Sequence, residues 1–262
     1  MDARRIPAVL SIAGSDSGGG AGIQADLKAF ARCGVHGMTA VTAITAQNTV
    51  GVEAIEPVSP EMIVAQVGAV AEDIGVDAVK IGMLGTVETV DAVVEALRFV
   101  GDAPVVVDPV MVSESGAVLL DQEARAAVVE SLLPLAHVVT PNIPEARALS
   151  GVGERDSQED LAREVLALGP RAVVVTGGHS ERLVDLFFDG VQAVEIPGKR
   201  HADGAAHGSG CTHSSALAAF LARGESPLEA ARKARAIASE AVANGLREIG
   251  AGPGPVDAIG LR

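Results

Sequence analysis

The segment His207-Gly208-Ser209-Gly210-Cys211-Thr212-His213 most sharply specifies a chemistry in this chain of 262 residues. A Gly-x-Gly turn that enters a helix aims several backbone N–H groups at one point, and such a cradle suits a transferring phosphoryl group. Cys211 falls at the expected helix N-terminus, where the helix dipole lowers a thiol pKa. The plainer alternative is a small residue packed in a tight turn. His207, Cys211 and His213 also suggest zinc. That reading is disfavoured, because no further Cys lies nearby and His213 points along a different helical face.

Five other segments carry polar chemistry beside this one. Gly14-Ser15-Asp16-Ser17-Gly18-Gly19-Gly20-Ala21-Gly22-Ile23-Gln24-Ala25-Asp26 lets a backbone approach a ligand closely, although it is neither a P-loop nor a clean dinucleotide fingerprint. Read plainly, it is a flexible turn with Asp16 as a cap, but Asp26, a carboxylate on an otherwise apolar helix, suggests ligand binding. In Thr45-Ala46-Gln47-Asn48-Thr49, the Gln47 amide both donates and accepts, which suits a neutral heterocycle; turn chemistry by Asn48 is the alternative. Asp108-Pro109-Val110-Met111 and Thr140-Pro141-Asn142-Ile143-Pro144-Glu145 each read alone as a loop acid or a helix start. Together, Asp108 and Glu145 make a Mg²⁺-phosphate site. Val175-Thr176-Gly177-Gly178-His179 suits the lining of a nucleotide site, with no catalytic role for His179.

These segments must be positioned by something, and the pattern between them supplies it. Short apolar runs at Ala8–Ala13, Met38–Ala46, Ala78–Ile81, Pro104–Val107, Val138–Val139 and Ala172–Thr176 predict strands. Helical spacing predicts helices over Ile23–Arg32, Pro60–Ile74, Val87–Phe99, Gln122–Leu133, Pro144–Leu149, Gln158–Ala167, Thr212–Ala222 and Pro227–Leu246. Asp189-Gly190 between Leu183–Phe188 and Val191–Ile196 predicts a hairpin. The alternation implies a mostly parallel sheet covered on both faces, since Val105–Val107 and Ala172–Val175 are apolar throughout. Ligands of such sheets bind beyond the carboxyl ends of the strands, which is where the polar segments fall. No repeat or linker interrupts the pattern, so a single domain over 1–262 is expected.

Composition excludes several function classes. A net charge of −14 disfavours nucleic acid and anionic membrane surfaces as partners. Two cysteines are too few for a disulfide framework, the first residues lack the apolar run of a signal peptide, and no segment has the length of a membrane span. A cytoplasmic protein is expected. With no Trp or Tyr and five Phe, any pocket works with little aromatic stacking.

Gly14 to Lys28 resembles the opening signature of the hydroxymethylpyrimidine/phosphomethylpyrimidine kinases. Further matches are Thr42 to Thr49, Val79-Lys80-Ile81-Gly82-Met83-Leu84, Asp108 to Met111, Thr140 to Glu145 and His207 to Thr212. They come in family order and span nearly the whole sequence. The resemblance implies a ribokinase-like three-layer α/β sandwich and two ATP-dependent phosphorylations, of 4-amino-5-hydroxymethyl-2-methylpyrimidine and then of its monophosphate, in thiamine biosynthesis. It implies that Gly14, Asp26, Gln47, Met83 and Val110 line the pyrimidine pocket, with Asp26 and Gln47 at the aminopyrimidine edge. It places Asp108 and Glu145 near Mg²⁺, Asn142, Thr176 and Gly178 toward ATP, and Gly208, Ser209, Gly210 and Cys211 at the anion hole. Cys211 stands where sugar kinases of the wider family have an Asp general base. A homodimer is implied as well. This sequence departs from the family at Thr176, where many relatives have Lys, at Ser209, where Thr is usual, and at His213, where an apolar residue is common. The nearest alternative is a pyridoxal kinase on the same scaffold. A non-catalytic vitamin-binding module is the alternative of another class, and the intact Asp108, Glu145 and Gly208-to-Cys211 turn argue against it.

Overall fold

The computed structural model describes residues 6–113, 116–153, 157–178, 183–202 and 204–262, so His179 lies outside the described residues. The strands are β1 (Ala8–Asp16), β2 (His36–Gln47), β3 (Val52–Pro57), β4 (Ala78–Ile81), β5 (Val105–Val107), β6 (Val138–Val139), β7 (Val173–Val175), β8 (Val184–Phe188) and β9 (Ala193–Pro197). They form one nine-stranded sheet in the order β3-β2-β1-β4-β5-β6-β7-β8-β9. From β2 to β7 all neighbours pair in parallel, while β3, β8 and β9 add antiparallel edges.

Helices α1 (Gly22–Arg32), α2 (Pro60–Asp73), α3 (Val87–Ala96), α4 (Gln122–Ala127), α5 (Ile143–Ser150), α6 (Gln158–Ala167), α7 (Ser209–Ala222) and α8 (Pro227–Ala243) cover both faces. One face packs Leu10, Ile12, Val79 and Val107 against Ile63, Val67, Val90, Val93 and Leu161 from α2, α3 and α6. The other packs Val9, Val106 and Val174 against Phe30, Leu217 and a run of alanines in α7 and α8. Phe30 and Leu217 are fully buried and contribute about 2 kcal/mol each. The small residues of α7 let that helix press directly on β1, β4 and β5, and this brings its N-terminal turn over the strand ends. No helix of the described residues is long and apolar enough to cross a membrane.

The expected strands and helices are present, with four differences. β3 is an added edge strand whose residues are mostly exposed, so its sequence lacks the apolar alternation that marks a half-buried strand. The helix expected over Gln122–Leu133 becomes α4, a π turn at Val128–Leu132 and a 3₁₀ turn at Leu133–Leu135. Pro134 explains the break, having no N–H to return to the preceding turn. α8 stops at Ala243, ahead of Asn244-Gly245. α7 begins at Ser209 rather than Thr212, because Gly208 takes the left-handed conformation (φ 83°) and starts the helix sooner.

Candidate active site

The ends of β1, β4, β5, β6 and β7 open into one cavity of about 370 Å³. Gly14, Gln47, Met83, Val110, Asp108, Asn142, Glu145, Thr176, Gly178, Gly208, Ser209, Gly210 and Cys211 all line it. Of the sequence-predicted site residues, Asp26 alone does not.

At one end the Gly-rich turn is held by Asp16. Its Oδ1 accepts the Gly18 N–H at 2.8 Å, and its Oδ2 accepts those of Gly20 and Ala21 at 3.0 and 2.8 Å. Burial works to raise the Asp16 pKa, but the His207 imidazole and these N–H groups outweigh it and hold the carboxyl below its ordinary value. The turn is therefore fixed rather than flexible. It also touches the phosphoryl turn, since a Cβ on Gly208 would lie 1.8 Å from the Gly20 carbonyl oxygen. Beside it, Gly14 packs on the Met83 sulfur and Gln47 Oε1 accepts the Thr45 hydroxyl at 3.2 Å. Gly14, Gln47, Met83 and Val110 thus form a pocket wall with one amide and little charge.

Asp26 needs a correction. It is fully buried, and its oxygens accept Ser11 Oγ at 2.6 Å, Ser215 Oγ at 2.7 Å and Lys80 Nζ at 2.9 Å. With its lone pairs committed beneath the cavity, it cannot meet a heterocycle edge. It secures Lys80, which does reach the cavity wall. Burial disfavours the Lys80 charge, but Asp26, with Cys211 and Asp108, reverses that and holds the ammonium above its ordinary pKa. Lys80 is a cavity residue to which the sequence reading gave no role. Its signal was a lone cation inside the apolar strand Ala78-Val79-Lys80-Ile81.

Asp108 is buried at the end of β5, and Ser214 of α7 donates to its Oδ2 at 2.8 Å. Burial raises the Asp108 pKa, with Lys80 and Ser214 opposing. Asn142 and Glu145 make a reciprocal capping box at the start of α5: Glu145 N–H donates to Asn142 Oδ1 and Asn142 N–H to Glu145 Oε2, both at 2.8 Å. The plain helix-start reading is therefore correct as far as it goes. Yet burial, followed by the Asp108 charge, pushes Glu145 up to about 8. Two carboxyls that resist ionising together at a cavity wall are a donor set for a hard divalent cation, which removes both penalties at once. Among the described residues no cluster of three such side chains forms, so the remaining ligands of a cation here would be phosphate oxygens and water.

In the phosphoryl turn, the first four N–H groups of α7 from Gly208 to Cys211 have no intrahelical acceptor. Ser209 N–H is taken by the Ala206 carbonyl at 2.9 Å, which leaves the N–H groups of Gly208, Gly210 and Cys211. A second correction falls on Cys211. Desolvation pushes its thiol up to about 12; Lys80 opposes this, while Asp26 and Asp108 add to it. The helix-dipole effect expected from sequence is overridden by burial, to which the two carboxylates add, and the resting side chain is a thiol. The far end of the cavity, past Thr176 and Gly178, is walled by Asp185, His213 and Arg235.

A model of the family described as phosphomethylpyrimidine kinase matches residues 16–257. A hydroxymethylpyrimidine/phosphomethylpyrimidine kinase of Rhizobium meliloti is 51% identical over 253 residues, covering 94% of this chain and 95% of that protein. Among solved structures, a phosphomethylpyrimidine kinase from Clostridium difficile 630 is 41% identical with a TM-score of 0.80, covering 91% of this chain and 100% of that one. A pyridoxal kinase from Staphylococcus aureus, solved in complex with ADP, is 36% identical with a TM-score of 0.88, covering 97% and 94%.

Proposed function

Because this chain belongs to the phosphomethylpyrimidine kinase family, we propose that it transfers the γ-phosphoryl group of ATP to 4-amino-5-hydroxymethyl-2-methylpyrimidine and then to its monophosphate, supplying thiamine biosynthesis. The observation that carries this reading is the shared cavity. A weakly charged wall with one amide faces a turn of free N–H groups, and two carboxyls lie between them and the nucleotide end.

In this reading Gly14, Gln47, Met83 and Val110 orient the heterocycle, with the Gln47 amide matching its donors and acceptors. The alcohol oxygen then faces the turn at Gly208 to Cys211. It attacks the γ-phosphorus, the bond to the ADP oxygen breaks, and the Gly210 and Cys211 N–H groups meet the charge on the transferring oxygens. Asp108 and Glu145 would hold Mg²⁺, which supplies charge neutralisation on the phosphates. Asn142, Thr176 and Gly178 line the approach of ATP. Lys80 adds a fixed positive charge beneath the reacting groups. With a thiol near pKa 12, Cys211 does not take the alcohol proton in the resting complex. A loose transition state asks little of a base, and the alcohol proton passes to an oxygen of the transferred phosphoryl group as the P–O bond forms, leaving the product as its monoprotonated phosphate. The same family reading carries one domain over 1–262, a homodimer and a cytoplasmic setting.

The test is an ATP-consumption assay, with products identified by phosphorus NMR, offering the pyrimidine alcohol, its monophosphate and pyridoxal in parallel. Phosphorylation of both pyrimidines is expected. Turnover of pyridoxal alone would replace this reading with that of a pyridoxal kinase.

A further inference from the structure

The segment Gly204-Ala205-Ala206-His207-Gly208 leads into the phosphoryl turn, and His207 alone in it has a side chain longer than a methyl group. Helix α7 starts only at Ser209, and Gly208 enters it from the left-handed region (φ 83°). Two backbone hydrogen bonds hold the segment. Ala205 N–H donates to the Val242 carbonyl of α8 at 3.2 Å, and the His207 carbonyl accepts the Val256 N–H at 3.0 Å. Both partners lie in the C-terminal part of the chain, away from the Gly-rich turn beside the pyrimidine wall.

The His207 side chain spans that gap. It is 11% exposed, and its Nε2 lies 3.5 Å from Asp16 Oδ2. The same oxygen accepts the Gly20 and Ala21 N–H groups at 3.0 and 2.8 Å, so the imidazole faces the carboxylate atom that shapes the Gly-rich turn. An imidazole nitrogen facing a carboxylate carries its proton there. The ring also rests on the turn itself: a Cβ on Gly20 would lie 2.3 Å from His207 Cδ2 and 3.2 Å from Pro255 Cβ. Gly20 and Gly208 thus lack side chains where the two turns press together, and His207 joins them through Asp16.

The two turns have different tasks. The Gly-rich turn follows Gly14 of the pyrimidine wall, while the phosphoryl turn presents its N–H groups. Phosphoryl transfer depends on how the alcohol oxygen is placed against those groups, and a misplacement of about 1 Å costs on the order of 10²-fold in rate. We infer that His207 is a positioning residue: through its contact with Asp16 it fixes the phosphoryl turn against the Gly-rich turn, and so sets the alcohol against the anion hole. This rests on the kinase reading above.

The test compares the steady-state kinetics of His207→Leu and His207→Gln with those of the unaltered enzyme, where circular dichroism shows each protein folded. Leu keeps bulk and loses the donor, whereas the Gln amide nitrogen comes close to the position of the imidazole Nε2. His207→Leu is expected to lower kcat about 10²-fold while KM for ATP and for the pyrimidine alcohol stays near its original value. His207→Gln should recover about tenfold or more of that loss. Asp16→Asn combined with His207→Leu should lose little more than the worse single variant, because both act through one contact. Should His207→Leu not fold, His207→Asn, whose amide stops near the position of Nδ1, replaces it in the comparison with Gln. Unchanged kcat in the folded Leu or Asn variant, no recovery with Gln, a raised KM at full kcat, or losses that multiply in the double variant would each overturn the inference. Turnover of pyridoxal but of neither pyrimidine by the unaltered enzyme would overturn the substrate assignment alone, and the same variants would then be compared on pyridoxal. Absence of ATP-dependent turnover on all three would overturn both.

Discussion

Lys80 Nζ lies 2.9 Å from Asp26 Oδ1, and neither side chain has any exposed surface. The pair joins the apolar strand β4 to helix α1, and Ser215 of α7 adds a third element. This ion pair sits directly under the residues proposed to handle phosphate, so its integrity should affect both stability and turnover.

Removing one partner is the first prediction. Lys80→Met leaves Asp26 buried without its cation and should destabilise the protein by about 3–5 kcal/mol in urea unfolding. The double substitution Lys80→Met with Asp26→Leu should recover much of that loss, because both charges are gone. It should remain inactive, since the cation beneath Cys211 and Asp108 is also gone. Full activity in a folded double variant would remove Lys80 from the chemistry.

Asp108→Asn with Glu145→Gln is the second. Both changes keep shape and remove charge, so the fold should persist while Mg²⁺-dependent turnover is abolished. Near-normal Mg²⁺-dependent activity in this variant would refute the metal assignment.

Glu145 also gives a pH dependence. Its folded pKa is about 8 against an ordinary 4.5, so the folded protein binds the proton more tightly than the unfolded chain. Between those values the folded state carries more protons, and stability contributed by this group falls as pH rises through that window. Thermal melting without metal should show this fall, and Glu145→Gln should flatten it. Because a cation displaces the proton, Mg²⁺ affinity in the presence of a nucleotide should rise across the same range. An affinity that does not change with pH would show Glu145 to be no ligand.

For the pyrimidine wall, Gln47→Ala should raise KM for the alcohol about fivefold while ATP binding stays near normal, the cost of one hydrogen bond to a neutral heterocycle. Unchanged pyrimidine kinetics would take Gln47 out of the site.

The polar segments were readable because each follows an apolar run, and a parallel sheet collects strand ends on one side. That reasoning locates Gly14, Asp108, Asn142 and Thr176 without coordinates. It fails for Asp26 because one turn of helix decides whether a carboxylate faces a cavity or a buried lysine, and spacing along α1 does not reveal the partner on β4. It fails for the Cys211 thiol for a similar reason: the helix dipole is a local property, but the burial that raises the thiol is set by the fold packed around it, and the charges of Asp26 and Asp108, which add to it, arrive from 185 and 103 residues earlier in the sequence. β3 was missed because an exposed edge strand carries no alternating pattern.

The last prediction separates two roles for Cys211. A preformed thiolate base would make Cys211→Ser costly, on the order of 10²-fold or more in kcat, since a Ser hydroxyl is a far weaker base. The structure raises this thiol to about 12 and buried Cys33 to about 11, so neither is ionised near neutral pH. Cys211→Ser should therefore keep kcat within about tenfold of the unaltered enzyme, because the backbone N–H groups of Gly210 and residue 211 survive the change. Iodoacetamide should alkylate Cys211 slowly at neutral pH. Its rate should climb only toward strongly alkaline pH, and substrate should protect it, because the side chain borders the cavity. Rapid alkylation at neutral pH, together with a collapse of kcat in Cys211→Ser, would restore the thiolate and make Cys211 the base.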